Sequence, residues 1–391
     1  IDTGMLEIST LLERHVAFDP GGDLEAFLRT APAKWVVYLL SDADDWPVQL
    51  LCVKNLRASL KRRLGGDEQV GPSRRVNYRD LIRHVRWCRV DSAFEADWLY
   101  YEIARQLFPQ TYQGMIGFRP AWFVHVNPLT DFPRYIKTTD LSRPGWYIGP
   151  VEDKHAAARV IQLVEDLFDL CRYYNILVEA PNAKACAYKE MGKCPAPCDG
   201  SISMEQYRNL IEWSARTLVD PGDAVRAHSR RMQQAAAELR FESAAKIRAY
   251  VNQLSQLGKG PYRHARLLKD FQFVSFQHGP REGAAKVFLI GPGEIREPMC
   301  LCGEPARPAE TLRAILEACA DRATTALDQT GTERIGIVAH HLFSPRQSQG
   351  VFLPLDQIDE WAIARAWRDL RKQSPQEPTE AEGVLKELQT L

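Results

Sequence analysis

Apolar positions recur along the chain with two periods, and the alternation between them predicts an order of elements. Trp35-Val36-Val37-Tyr38-Leu39-Leu40 is a short apolar run rich in β-formers, and Val48-Gln49-Leu50-Leu51-Cys52-Val53 is a second. The polar segment from Asp42 to Pro47 supplies a turn between them, so the pair reads as a β-hairpin. Asn55 stands where a helix needs a cap, ahead of Leu56, Leu60 and Leu64 at helical spacing. A helix over Tyr78–His84, a strand over Val85–Val90 and a helix over Ala93–Leu107 follow. Leu6, Ile8, Leu11, Leu12 and Val16, then Leu24, Phe27 and Leu28 beyond Pro20-Gly21-Gly22, read as helical across residues 6–30. This order is that of an α+β module of roughly a hundred residues.

A second unit starts near Pro120 with a strand over Ala121–Val126, a loop at Trp146–Pro150 and a helix over Ala156–Tyr174. A cysteine-bearing segment and a helix over Met204–Leu218 complete it. Asp220-Pro221-Gly222-Asp223 breaks the chain, and two helices then meet near Leu239-Arg240-Phe241. From Phe271 the alternation of a strand returns, Lys286–Ile290 leads into the turn Gly291–Glu294, and helices over Glu310–Leu327 and Asp356–Lys372 precede a polar tail. Ile335–Val338 reads as an apolar strand beside His340-His341, and Cys300-x-Cys302 as a strand with alternating cysteines. The expected divisions are N-terminal helices at 5–33, an α/β sandwich at 34–115, a helical cysteine-cluster domain at 116–218, a helical hairpin at 219–258 and an α+β region at 265–391.

Composition narrows the class. The 391 residues are 45% hydrophobic and 26% charged, as in a globular protein, and fifty basic side chains balance fifty acidic ones. That balance excludes a chain coated in positive charge and leaves room for a local basic face. No apolar run approaches the length of a membrane span, and the opening Ile1-Asp2-Thr3-Gly4-Met5 lacks the features of a signal peptide. A cytoplasmic location is expected. Nine cysteines in a reducing compartment read better as metal ligands than as disulfides.

Four cysteines cluster as Cys171-x14-Cys186-x7-Cys194-x3-Cys198. Thiolates gathered on a short stretch repel one another unless a cation or cluster holds them, and soft sulfur selects iron–sulfur or zinc. Structural zinc favours paired tight knuckles, and here one tight pair stands beside two scattered cysteines. An iron–sulfur cluster, zinc and unligated core cysteines are the three readings. Trp146-Tyr-Ile-Gly-Pro150, Leu167-Phe168 and Gly192-Lys193-Cys194-Pro-Ala-Pro-Cys198 together resemble the middle of UvrC, the incision subunit of bacterial nucleotide excision repair, and of the shorter Cho-type nucleases. The resemblance implies a 4Fe–4S cluster on Cys171, Cys186, Cys194 and Cys198. Cys171 sits slightly earlier than the family pattern places its first cysteine, where Tyr173 would align.

The resemblance continues through Met232-x2-Ala235-Ala236-x2-Leu239-x-Phe241-Glu242-x2-Ala245-x-Ile247-Arg248, which is similar to the UVR motif, the hairpin by which UvrC docks on the helicase UvrB. It implies partner contacts at Leu239, Phe241, Glu242, Ala245 and Arg248. The plainer reading is a helix pair docked on its own protein. The N-terminal module falls where the family has its GIY-YIG nuclease domain. Carried over by position, the first tyrosine is Tyr38 and the metal-holding glutamate is Glu102. The second tyrosine becomes Gln49, the following lysine Cys52, the catalytic arginine Ser59, and a further tyrosine Arg63. Losing one electrostatic donor typically costs ~10²–10³ in rate, so the nuclease is expected to be weakened or dead.

Lys54, Arg57, Lys61, Arg62, Arg63, Arg74, Arg75 and Arg79 make the same region basic, which suits backbone phosphates, or else a solvated face balanced by acids elsewhere. Three functions compete: a non-catalytic UvrC-like DNA-binding protein that recruits a UvrB-like helicase, an active endonuclease using a divalent metal around Tyr38 and Glu102, and an assembly scaffold.

Overall fold

A computed structural model describes residues 11–65, 78–257, 259–302, 308–320, 327–343 and 350–373. The helix expected from Leu6 and Ile8, the basic Arg74 and Arg75, the stretch between Ala320 and Leu327 and the tail beyond Gln373 lie outside those residues. The chain is α+β, with three antiparallel sheets and a helical hairpin. Among the described residues no helix is long and apolar enough to cross a membrane.

The first sheet has the order β1-β4-β2-β3, from strands β1 (Arg14–Ala17), β2 (Val36–Ser41), β3 (Pro47–Val53) and β4 (His84–Arg89). Every residue of β2 is buried, as its unbroken apolar run requires of a central strand. Its odd and even positions serve different cores. Val36, Tyr38 and Leu40 pack with Leu56, Leu60 and Leu64 of helix α2 (Leu56–Leu64), whose N-cap is Asn55, and with Leu28 of α1 (Leu24–Thr30). Val37 and Leu39 pack on the opposite face against helix α4 (Ala93–Leu107), which follows the single turn α3 (Tyr78–Leu81). The expected N-terminal helices are corrected here: Arg14–Ala17 is an edge strand paired with β4, because pairing with His84–Trp87 outweighs a weak helical spacing. The expected Tyr78–His84 helix stops at Leu81, where the chain turns into β4.

Helix α4 is apolar almost all round and is accordingly buried on two sides. Its far side meets the third sheet, formed by β9 (Phe273–His278), β10 (Ala284–Gly291), β11 (Glu294–Ile295), β12 (Met299–Cys302) and β13 (Val351–Pro354), and helix α13 (Gln329–Phe343). Ile335–Val338 lies inside α13, which corrects the strand expected there. The third sheet's other face is covered by α12 (Pro308–Ala320) and α14 (Glu360–Lys372), with Trp367 at its centre. The N-terminal module and the C-terminal region therefore share one core across α4.

Between them in sequence lies the second sheet, β6-β5-β7-β8, from β5 (Trp122–Val126), β6 (Ile136–Thr138), β7 (Trp146–Val151) and β8 (Arg266–Leu267). The region expected to be helical thus carries a sheet, the Trp146–Pro150 loop is a strand, and β8 comes from beyond the hairpin. Helices α6 (Lys154–Leu167) and α9 (Met204–Val219) cover the sheet. The expected helix to Tyr174 ends seven residues early: Asp169 is left-handed (φ 50°) and the Leu170 N–H donates to the Glu165 carbonyl at 3.0 Å, a six-to-one helix stop.

Candidate cysteine centre and docking hairpin

That helix stop delivers Cys171 into a loop, where its N–H donates to the Tyr207 hydroxyl at 3.1 Å. Cys186 caps the short helix α8 (Ala187–Glu190), and a turn closed by Lys193 N–H to the Tyr188 carbonyl at 2.8 Å returns the chain to Cys194. Ala196, left-handed at φ 53°, bends the five-residue Cys194–Cys198 segment so that both thiols are buried. A non-glycine residue there costs on the order of 1 kcal/mol, tolerated where surroundings over-determine the turn. Those surroundings are the Ala183 N–H on the Cys198 carbonyl at 2.9 Å, the Lys189–Asp199 ion pair, and the Arg172 guanidinium on the Lys193 carbonyl at 3.0 Å.

The Cys171 thiol donates to the Tyr173 carbonyl at 3.7 Å and lies beside the Cys194 thiol. The interaction between the two neighbouring thiols holds Cys194 down to about 7 and pushes Cys171 up. Burial raises Cys198, and the negative charge of Cys194, Asp199 and, more weakly, Cys186 adds to the rise. All four cysteines are free thiols. Among the described residues no three His, Cys, Asp or Glu side chains converge closely enough to hold a single metal ion. In kind, the donor set suits a soft thiolate-bound group.

The hairpin pairs α10 (Pro221–Ala237) with α11 (Phe241–Leu254). Asp220 caps α10, so the polar break is a helix start, and Leu239 makes the tight link in the left-handed conformation (φ 57°). The base of the hairpin is anchored through Leu254, Val225 and Tyr250 in the second core. Its tip is not: Leu239 is 72% and Phe241 65% exposed, and Glu242, Ala245 and Arg248 are exposed beside them. The five residues expected to touch a partner thus form one open surface.

The N-terminal positions behave differently. Tyr38 is fully buried, and its hydroxyl shares a 2.8 Å hydrogen bond with Ser59. Arg63 donates to Gln49 at 2.8 Å and lies beside Tyr38. Ser59, Gln49 and Arg63, expected to stand where the family has catalytic groups, are thus engaged within the module. Burial lifts the Tyr38 pKa above the ordinary tyrosine value. Glu102 lies on the other side of the sheet, on α4, where Arg334 of α13 grips its two carboxylate oxygens at 2.7 and 3.0 Å and Arg105 adds a contact at 3.3 Å. The expectation that Tyr38 and Glu102 share a site is corrected: strand alternation puts Tyr38 against α2 and leaves α4 to Val37 and Leu39. Cys52 faces the α4 side, accepts from Trp35 Nε1 at 3.2 Å and is pushed up to about 12 by burial.

The basic segment divides likewise. Arg57 donates to the Leu28 and Ala31 carbonyls, Arg79 to those of Pro20 and Leu64, and Lys61 pairs with Glu25 at 3.0 Å. Arg62 is exposed and Lys54 half-exposed, while Arg75 lies outside the described residues. Sequence reasoning missed Arg334, whose role depends on a contact 232 positions away. It also missed Arg134 and Tyr174, whose spacing carries no signal.

The description "UvrC/Cho excinuclease, middle domain" matches residues 121–216, and "UvrB/uvrC motif" matches residues 226–257. The UvrABC system protein C of Caldanaerobacter subterraneus subsp. tengcongensis is 26% identical over 61% of this chain and 39% of its own length. That of Clostridium botulinum is 25% identical over 70% and 44%, and that of Acetivibrio thermocellus 23% over the same shares. The chain spans about two fifths of the length of these curated relatives. No solved structure matches it.

Proposed function

From a chain that carries the UvrC/Cho excinuclease middle domain and the UvrB/uvrC motif, and that is a distant homologue of UvrC, we infer a DNA-repair protein that binds DNA and docks on a UvrB-type helicase without cutting from its N-terminal module. The observation that carries the second half is the position of Glu102. A carboxylate that holds a divalent metal at a phosphate must be open on one side, and this one is 6% exposed between two arginines. Among the described residues, the Tyr38 hydroxyl reaches Ser59 and the Arg63 guanidinium. Groups that act as a unit fail as a unit. The exposed tip formed by Leu239, Phe241 and Arg248 supports docking, since a monomer rarely leaves a phenylalanine and a leucine side by side in water without use for them.

Cys171, Cys186, Cys194 and Cys198 would hold a 4Fe–4S cluster, with zinc as the alternative occupant. Bound there, the cluster would cross-link the 171–198 loops and could exchange one electron. The chain's own contribution is to bury two thiols and to brace the loops through Arg172 and the Lys189–Asp199 pair. Incubating the full chain with damaged, branched and single-stranded DNA in magnesium or manganese tests the reading. Binding without incision is expected. Incision that disappears in Glu102→Gln would overturn it.

A further inference from the structure

The second sheet carries a groove of about 390 Å³ on its β5–β6 side, lined by His125, Phe132, Arg134, Arg143 and Tyr174 among others. Arg134 is exposed, and its guanidinium lies over the Tyr174 ring at 3.8 Å from the centroid. Among the described residues Arg134 makes no ion pair and no hydrogen bond, so its charge and all its donors face solvent. Neighbouring cations are already engaged: Arg143 reaches Asp140 at 3.4 Å, and Arg208 reaches Asp131 and the Thr130 carbonyl.

The stack continues through the next residue. Tyr173, 45% exposed, lies 5.8 Å from the Tyr188 ring in a tilted contact, and the Arg172 guanidinium sits 4.5 Å from the centre of Tyr188. Tyr174 belongs to the groove and Tyr173 to the cysteine loops, so one dipeptide joins two arginine–aromatic stacks. Lys184, Lys189 and Lys193 are exposed on the same loops. Arg172 is fixed by carbonyls and Asp166 and is built in as support, whereas Arg134 is free to bind.

We propose that this ladder, from Arg134 and Tyr174 to Tyr173 and Tyr188, is a binding site for unpaired nucleotides of a single-stranded nucleic acid. Tyr173 and Tyr174, each more than a third exposed, offer ring surface on which any base can stack, and a guanidinium with free donors accepts the adjoining phosphate. A duplex keeps its bases stacked on one another and offers the ladder only phosphates. The cysteine loops form the wall behind Tyr173 and Tyr188, so the ladder's outer half depends on them. The proposal rests on the DNA-binding reading above and locates that binding in the middle region, away from the N-terminal basic segment.

The test is fluorescence anisotropy of the full chain with labelled oligothymidylate and with a labelled duplex. Arg134→Ala with Tyr174→Ala is expected to weaken single-strand binding by about tenfold or more, with a smaller effect on duplex. Tyr174→Phe is expected to bind like the parent, because the ring carries the contact. Bromodeoxyuridine crosslinking is expected to mark a peptide within 172–190. If the parent binds neither probe, the DNA-binding reading and the ladder both fall. If it binds and only Lys54→Ala with Arg62→Ala weakens it, the reading stands and the ladder is wrong. A far-ultraviolet spectrum matching the parent's confirms that each variant has folded.

Discussion

Single residues are held here mainly by what buries them. His264 sits between Phe343 and Phe273, and its Nε2 accepts from Arg263 Nε at 3.0 Å, which requires the neutral ring. Burial, then the charges of Arg263 and Arg266, bring its pKa down to about 4. In the unfolded chain the value is near 6.5, so between those limits the unfolded state binds more protons than the folded one. Stability therefore rises with pH through the window and is lost as pH falls from 6.5 towards 4. The loss by pH 5 is expected to be no more than ~2 kcal/mol. Thermal melts at pH 7 and pH 5 read it, and His264→Gln should flatten the difference. An unchanged difference would mean that another group titrates. Cys194 is the second such residue, because its thiol lies beside that of Cys171. Anaerobically purified protein is expected to hold about four irons per chain, and Cys194→Ser to lose most of them. One zinc and no iron in the parent would replace the cluster with a zinc site.

At the scale of elements, α4 and the hairpin show opposite uses of a helix. Each acid of α4 has a partner in the C-terminal region: Glu102 has Arg334, Asp97 has His341 at 2.9 Å, and Glu95 has Lys286, which also reaches Asp91 at 2.8 Å. Burial works against the Lys286 ammonium, yet the two carboxylates outweigh it and hold its pKa above that of ordinary lysine. Removing Arg334 leaves Glu102 only the 3.3 Å contact with Arg105. Arg334→Leu is expected to cost about 1.5–3 kcal/mol, and Glu102→Leu with Arg334→Leu to recover most of it. A chemical-denaturation series over the parent, both single variants and the double variant checks this, and a double variant no better than Arg334→Leu would deny the pairing its structural role. Apart from Ala235, the hairpin's α10 and α11 bury mainly their base. Phe241→Ala with Arg248→Glu should leave the melting temperature within a degree or two and weaken binding to a UvrB-type helicase by a hundredfold or more. Unfolding of that variant would make the tip part of the core. Elements with local signals were legible: the β2–β3 hairpin, the Asn55-capped α2, α4 and the link at Leu239–Phe241. Arg14–Ala17 was not, since its partner strand lies seventy positions on. Nor was α13, whose Ile335–Val338 run is as apolar as a strand because α4 covers it.

For the whole molecule, order in sequence differs from order in space. The middle sheet and hairpin are inserted between two regions that share one core, since Val37, Leu39, Phe94 and Trp98 pack in the same cluster as Phe273, Phe288 and Ile337. Divisions drawn along the chain missed this, because period and composition report which face of an element is apolar and say nothing about which distant face covers it. The covering also explains why the nuclease-like positions were only half legible. Gln49 and Ser59 could be read from position alone, but the closing of Glu102 on α4 by Arg334 depends on the C-terminal fold. A shared core implies shared unfolding. Native-state hydrogen exchange should therefore show α4, β2, β9 and β10 opening as one unit with nearly the same free energy. The α10–α11 tip, with few buried contacts, should exchange far faster. Lys286→Met, which leaves Glu95 buried without its cation and Asp91 with Arg89 alone, should lower protection in α4 and β10 by the same amount and leave the tip unchanged. If α4 and β2 kept full protection while β9 and β10 lost theirs, the two regions would be separate folding units and the common core would not couple them.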